Sequence, residues 1–193
     1  MQSSSSDIRR NNRLNEDFYT TCSKGKVEEV EKLLSLHPQI NPNWKFNSSQ
    51  TPLYIACYDK RIDVVKVLLK EKRVDVNQPN KNEVTPFWIV CQIGCLDIVK
   101  LFLNDWRVDV NKPRKDGVTP FLIACYFGHF DIVECMLESE RDVKLDQNKR
   151  AMDAIRKKNY SKSAKILELL ESCERNTDET RFKLRIQKGL VGN

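Results

Sequence analysis

Val84-Thr85-Pro86-Phe87-Trp88-Ile89-Val90-Cys91-Gln92-Ile93-Gly94, followed by Leu96-Asp97-Ile98-Val99-Lys100-Leu101-Phe102-Leu103, is the stretch that decides the fold. It recurs on both sides. Thr51-Pro52-Leu53-Tyr54-Ile55-Ala56-Cys57 lies 34 residues upstream and Thr119-Pro120-Phe121-Leu122-Ile123-Ala124-Cys125 lies 34 downstream. The second halves keep the register as Asp63-Val64-Val65-Lys66, Asp97-Ile98-Val99-Lys100 and Asp131-Ile132-Val133-Glu134. So do the connectors Val74-Asp75-Val76-Asn77 and Val108-Asp109-Val110-Asn111. A fixed period of this length means one supersecondary unit stacked on copies of itself.

Each unit reads as two helices. Thr caps free amides, and Pro at the first helical position has no N–H to leave unpaired. Apolar pairs four apart, such as Val64-Val65 with Leu68-Leu69, make one stripe on the second helix that faces its neighbours. The period alone suits tetratricopeptide units. However, about a dozen residues with Asn, Pro and Val-Asp-Val separate each second helix from the next Thr-Pro. That is too long and turn-rich for a tight joint and suits an extended finger.

The pattern T-P-[LF]-x-[IA]-x-C, then Gly, Asp-Ile-Val and Asp-Val-Asn, resembles the ankyrin repeat. The resemblance implies an all-α solenoid of helix-turn-helix units joined by β-hairpin-like fingers. Three departures stand out. The usual His of the Thr-Pro-Leu-His signature is replaced by Tyr54, Trp88 and Leu122, which predicts that its hydrogen bonding to neighbouring loops is absent. Gly-His at the turn survives only as Gly128-His129. Arg73-Val74 and Arg107-Val108 stand where Gly-Ala is usual.

The array is expected over 14–173, in about five units. A degenerate N-terminal cap at 14–47 precedes full repeats at 48–80, 81–114 and 115–145, and a C-terminal cap at 146–173 follows. Terminal units are atypical because one face meets water. Residues 1–13, rich in Ser, Asn and Arg, are expected as a flexible tail with Ser3 to Ser6 as a candidate phosphorylation tract. Residues 174–193 form a second tail whose Phe182, Leu184, Ile186 and Leu190 fit either a strand or a helix face; docking onto the last repeat is the preferred reading. Trp44 and Phe46 either pack beneath the first finger or extend a binding rim.

With 193 residues and 40% hydrophobic side chains the chain can bury a core, and no apolar run reaches membrane-spanning length. The N-terminus lacks the apolar stretch of a secretory signal, and seven cysteines without that context read as reduced thiols. A cytoplasmic monomer is expected, with the nucleus as the alternative compartment. His37 and His129 have no Cys or His at metal-ligand spacing and the glycines are scattered, so no metal, cofactor or catalytic residue is assigned and no enzyme is expected.

What the ankyrin resemblance implies about function is protein binding on the concave side, by finger tips and the exposed face of the first helices. Mapped here, the tips are Lys81, Asn82, Val84, Lys115, Asp116 and Val118. The helix positions are Tyr58, Asp59, Gln92, Ile93, Tyr126 and Phe127. These differ between copies while the framework does not, and Tyr126 with Phe127 is the expected anchor. The expected function is therefore a scaffold or adaptor for another protein. Two alternatives remain. Residues 144–165 hold eight Lys and Arg against two Asp, which carries the whole net charge of +6. Lys149, Arg150, Arg156, Lys157, Lys158 and Lys162 could therefore take nucleic acid or anionic lipid. Alternatively, the two tails could block or tether an enzyme.

Overall fold

The computed structural model describes residues 5–47, 49–156 and 163–190. Eleven helices are seen among them: α1 (Ser5–Lys24), α2 (Val27–Leu36), α3 (Pro52–Tyr58), α4 (Ile62–Lys70), α5 (Pro86–Ile93), α6 (Leu96–Leu103), α7 (Pro120–Phe127), α8 (Phe130–Glu138), α9 (Asn148–Arg156), α10 (Ser163–Arg175) and α11 (Thr177–Gln187). The odd-numbered helices α1 to α9 stack as an inner layer and α2 to α10 as an outer one, each packing on the next of its own layer. Their shared core includes Phe18, Leu53, Phe87, Trp88, Phe102, Ile132 and Met136, all buried.

The Thr-Pro starts work as their chemistry requires. The Thr51, Thr85 and Thr119 hydroxyls accept hydrogen bonds from Tyr54, Trp88 and Leu122 N–H at 3.1, 3.0 and 3.2 Å. The first four inner helices each stop at a left-handed residue: Gly25, Lys60, Gly94 and Gly128, with φ of 75°, 55°, 74° and 75°. Gly94 has a second reason to be glycine, because a Cβ there would lie 2.4 Å from the His129 ring. The finger joints are not ladders. Asn80 N–H meets Val84 O at 3.0 Å and Arg114 N–H meets Val118 O at 3.1 Å. The Asn80 side chain then takes the N–H groups of Asn82 and Val84, so each finger is a one-rung turn rather than a β-hairpin.

At the opposite corners the repeats are tied by two series of side chains. Asn43, Asn77 and Asn111 each donate from Nδ2 to a carbonyl of the next repeat (Arg73, Arg107, Asp142) at 2.6 to 2.7 Å. Each also accepts a backbone N–H there, from Asp75, Asp109 and Lys144 at 2.7 to 2.9 Å. Arginines reach the other way. Arg73 donates to Pro38 O and Ile40 O, and Arg107 to Leu69 O. The buried Arg141 donates to the carbonyls of Leu103, Asp105 and Val108.

The ends bear on three expectations. Residues 5–13, expected within a flexible tail, are the first turns of α1, exposed over 7–13. Phe18 and Cys22 dock the rest of that helix, and extending a helix from a formed turn is far easier than starting one. Ser3 and Ser4 lie outside the described residues. Phe46 stacks on Tyr19 with ring centroids 4.9 Å apart, and Trp44 tilts against Phe46, so both pack beneath the first finger.

The C-terminal segment is helical and docked, but on a different face from the Phe182, Ile186, Leu190 stripe. Thr180 and Leu184 are buried while Phe182 is exposed. Asn176 caps α11 by accepting Glu179 N–H at 3.1 Å. Arg181 then donates to Leu137, Ser139 and Arg141 carbonyls, and Arg185 to Glu138 and Ser139. Arg175 is the residue 34 positions after Arg141, but it is still inside the long α10 and exposed. Arg181 does its work instead.

Candidate functional site

Finger 114–118, helix α7 and Arg150 of α9 enclose a groove of about 400 Å³ on the inner layer. Thr119-Pro120 sets the start of α7, so Leu122, Ile123 and Tyr126 follow at helical spacing along its wall. Tyr126 is half-buried and Phe127 is 43% exposed, their rings meeting edge to face at 5.4 Å. Phe127 also stacks on the His129 ring, and His129 Nε2 hydrogen-bonds Gln92 O at 2.9 Å. The exposed aromatic therefore rests on a side chain that ties α7 to α5. It is a held platform, which limits the entropy lost when something packs on it.

The opposite wall is polar. Arg114 lies over the Trp88 ring at 5.0 Å and its Nε donates to Asp116 at 2.7 Å. That bond holds the Asp116 carboxyl at about 2, well below its ordinary 3.8. The pair is exposed, so it orients the finger more than it stabilises the chain. Arg150, at the far edge, is exposed and makes no ion pair with a described residue.

The groove thus gathers Gln92, Asp116, Tyr126 and Phe127 of the expected positions and adds Arg114, Leu122, Ile123 and Arg150. Lys81, Asn82 and Lys115 are exposed finger tips, with Lys115 N–H bonded to Asn82 O, but they do not line it. Tyr58 is 52% exposed further along the same layer, Asp59 accepts a bond from Ser23, and Ile93 is packed against the core. Two positions need correction. Val84 and Val118 are buried, because the residue before each Thr cap turns inward as the finger returns to its helix. Val118 meets the groove only from beneath.

The basic stretch is likewise divided. Lys149 and Arg150 are exposed on α9, whereas Arg156 pairs with Asp153 and Glu171. Lys157, Lys158 and Lys162 lie outside the described residues.

The signature-histidine positions also differ from expectation. Trp88 Nε1 donates to Val118 O at 2.8 Å, and the Tyr54 hydroxyl accepts from Asn80 at 3.3 Å. At Leu122, which has no donor, Gln147 of the next unit donates to Gly117 O at 3.0 Å. The hydrogen bonding to the fingers is therefore kept by other side chains.

Comparison with known families agrees with this geometry. A family model described as ankyrin repeats (3 copies) matches residues 7–80 and again 72–149. The chain belongs to the ankyrin repeat family. The comparison with curated proteins gives no match. Ankyrin repeats generally mediate protein–protein interaction. The chain's central cysteines are framework: burial pushes the Cys57 and Cys91 thiols well up, away from thiolate reactivity. No helix among the described residues is long and apolar enough to cross a membrane.

Proposed function

We propose that this ankyrin-repeat protein is a non-catalytic, monomeric scaffold that holds a partner protein in the 114–118/α7 groove. The observation that carries it is the convergence of Phe127, Tyr126, Arg114, Asp116 and Arg150 on one groove while the equivalent framework residues stay buried. Aromatic and arginine side chains at one spot are the composition of binding hot spots. Tyr58, Lys81, Asn82 and Lys115 extend the contact along the same layer. Because Arg150 makes no ion pair with a described residue, the groove favours an acidic stretch of polypeptide over a neutral one.

The test compares wild type with Tyr126→Glu/Phe127→Glu and with Arg150→Glu as bait, after matching helicity and melting. Partners held by wild type are expected to be lost from the double variant and weakened by Arg150→Glu. Retention by both variants, with loss on nuclease treatment, would replace the scaffold with a nucleic-acid binder.

A further inference from the structure

The outer layer carries grooves in repeat register, and this chain's own C-terminal turn occupies part of one. Between α6 and α8 lies a groove of about 440 Å³ lined by Leu103, Cys135 and Glu138, and the chain's own Lys188 and Leu190 close it. Lys188 Nζ sits 2.7 Å from Glu134 and 2.9 Å from Glu138. Burial raises the Glu138 carboxyl, with Lys188 opposing it. The turn that closes α11, bearing one cation and one leucine, therefore lies against two outer helices, its charge matched to acids on α8.

The same groove recurs one repeat earlier, between α4 and α6, at about 620 Å³. Its floor keeps the register, with Leu69 and Leu101 in place of Leu103 and Cys135. Its charge is reversed. Lys100 and Asn104 stand where Glu134 and Glu138 hold the tail, while Lys66, Lys70 and Lys72 crowd the rim. Lys66 is paired with Asp63, and Lys70 and Lys72 are exposed with no acidic partner among the described residues. Trp106 stands at its edge, 69% exposed, with the Arg141 guanidinium 4.8 Å from its ring. The equivalent residues in the adjacent copies are Lys72 and Glu140, so the tryptophan is particular to this groove.

We propose that the α4/α6 groove binds an acidic peptide segment carrying a large apolar side chain. The apolar side chain packs on Trp106 over Leu69 and Leu101, and the acids face Lys70 and Lys72. It is the charge-inverted counterpart of the chain's own tail in the next groove.

The full chain would be titrated with a short fluorescein-labelled peptide in which glutamates surround one leucine–phenylalanine pair. The same peptide with lysine for glutamate serves as control, as do vesicles rich in phosphatidylserine. Saturable binding is expected for the acidic peptide alone. Lys70→Glu/Lys72→Glu should weaken it about tenfold or more, and Trp106→Ala should weaken it by a similar factor. Tyr126→Glu/Phe127→Glu should leave it unchanged, which separates this surface from the inner groove. Absence of saturable binding, equal binding of the lysine peptide, or indifference to the Lys70→Glu/Lys72→Glu variant overturns the proposal. Binding to the vesicles but not the peptide would make the patch a membrane contact.

Discussion

At the corners of the repeats the same side chains do the same work again and again; at the fingers each joint is solved differently. Asn43, Asn77 and Asn111 make matching pairs of bonds across three interfaces. Arg73, Arg107 and Arg141 all reach back to carbonyls of the preceding unit. Across the finger side, the joint is closed by Tyr54 with Asn80, then by Trp88 with Val118, then by Gln147 with Gly117. A solenoid needs identical geometry where its units stack, so identity concentrates there. A surface that must fit one partner needs difference, and the variation sits beside the groove.

The largest break in this contrast should come from the corner. Arg141 is buried and satisfies three carbonyls, so Arg141→Ala should cost about 3 kcal/mol, since bonds from charged donors are worth more than neutral ones and their buried acceptors are left unpaired. Chemical denaturation measures it, and a loss no larger than that of the exposed Arg73→Ala would deny the arginine series its structural role. A smaller effect is expected at the finger. Trp88→Phe removes the donor to Val118 O together with part of a buried ring that Arg114 covers, at about 2 kcal/mol. If the wild-type melting point survives, Trp88 has not taken over the finger bond. The smallest effect sharpens the comparison by making the copies more alike. Lys60 holds φ 55° where its counterparts are glycine, so Lys60→Gly should gain about 0.5–1 kcal/mol, relief of left-handed strain less the entropy glycine adds to the unfolded chain. A destabilised variant would show that Lys60 makes a contact worth more than its strain.

The corner and finger sides were also unequally legible. Thr-Pro, the outer-helix stripes and Gly128-His129 each act over a few residues, and the repeated stretch announced their helices and turns. The long-range partners left a fainter trace. Arg73, Arg107 and Arg141 share the 34-residue spacing, a signal that could have shown an arginine series, but the first two read locally as a departure from Gly-Ala and Arg141 carried no reading. Trp88 replacing histidine read as a lost bond because composition does not show where an indole N–H will point. Val84 and Val118 read as finger tips because the inward turn before a Thr cap depends on packing, not on pattern. On α11, hydrophobic periodicity left a strand face of Phe182, Leu184 and Ile186 and a helix face of Phe182, Ile186 and Leu190 both open. The docked face is built from Arg181, Arg185, Thr180 and Leu184, whose anchoring is mostly hydrogen bonds to carbonyls.

That helix has a consequence for how the last two units stay together. Arg181 and Arg185 fill the carbonyl seats at the end of α8 that a corner arginine of the last unit would otherwise fill. A unit duplicated between residues 48 and 114 brings its own asparagine and arginine, so its joints carry their fastenings with them. The last joint borrows its fastening from a helix outside the repeat, so loosening α11 bares those carbonyls while every central joint stays closed.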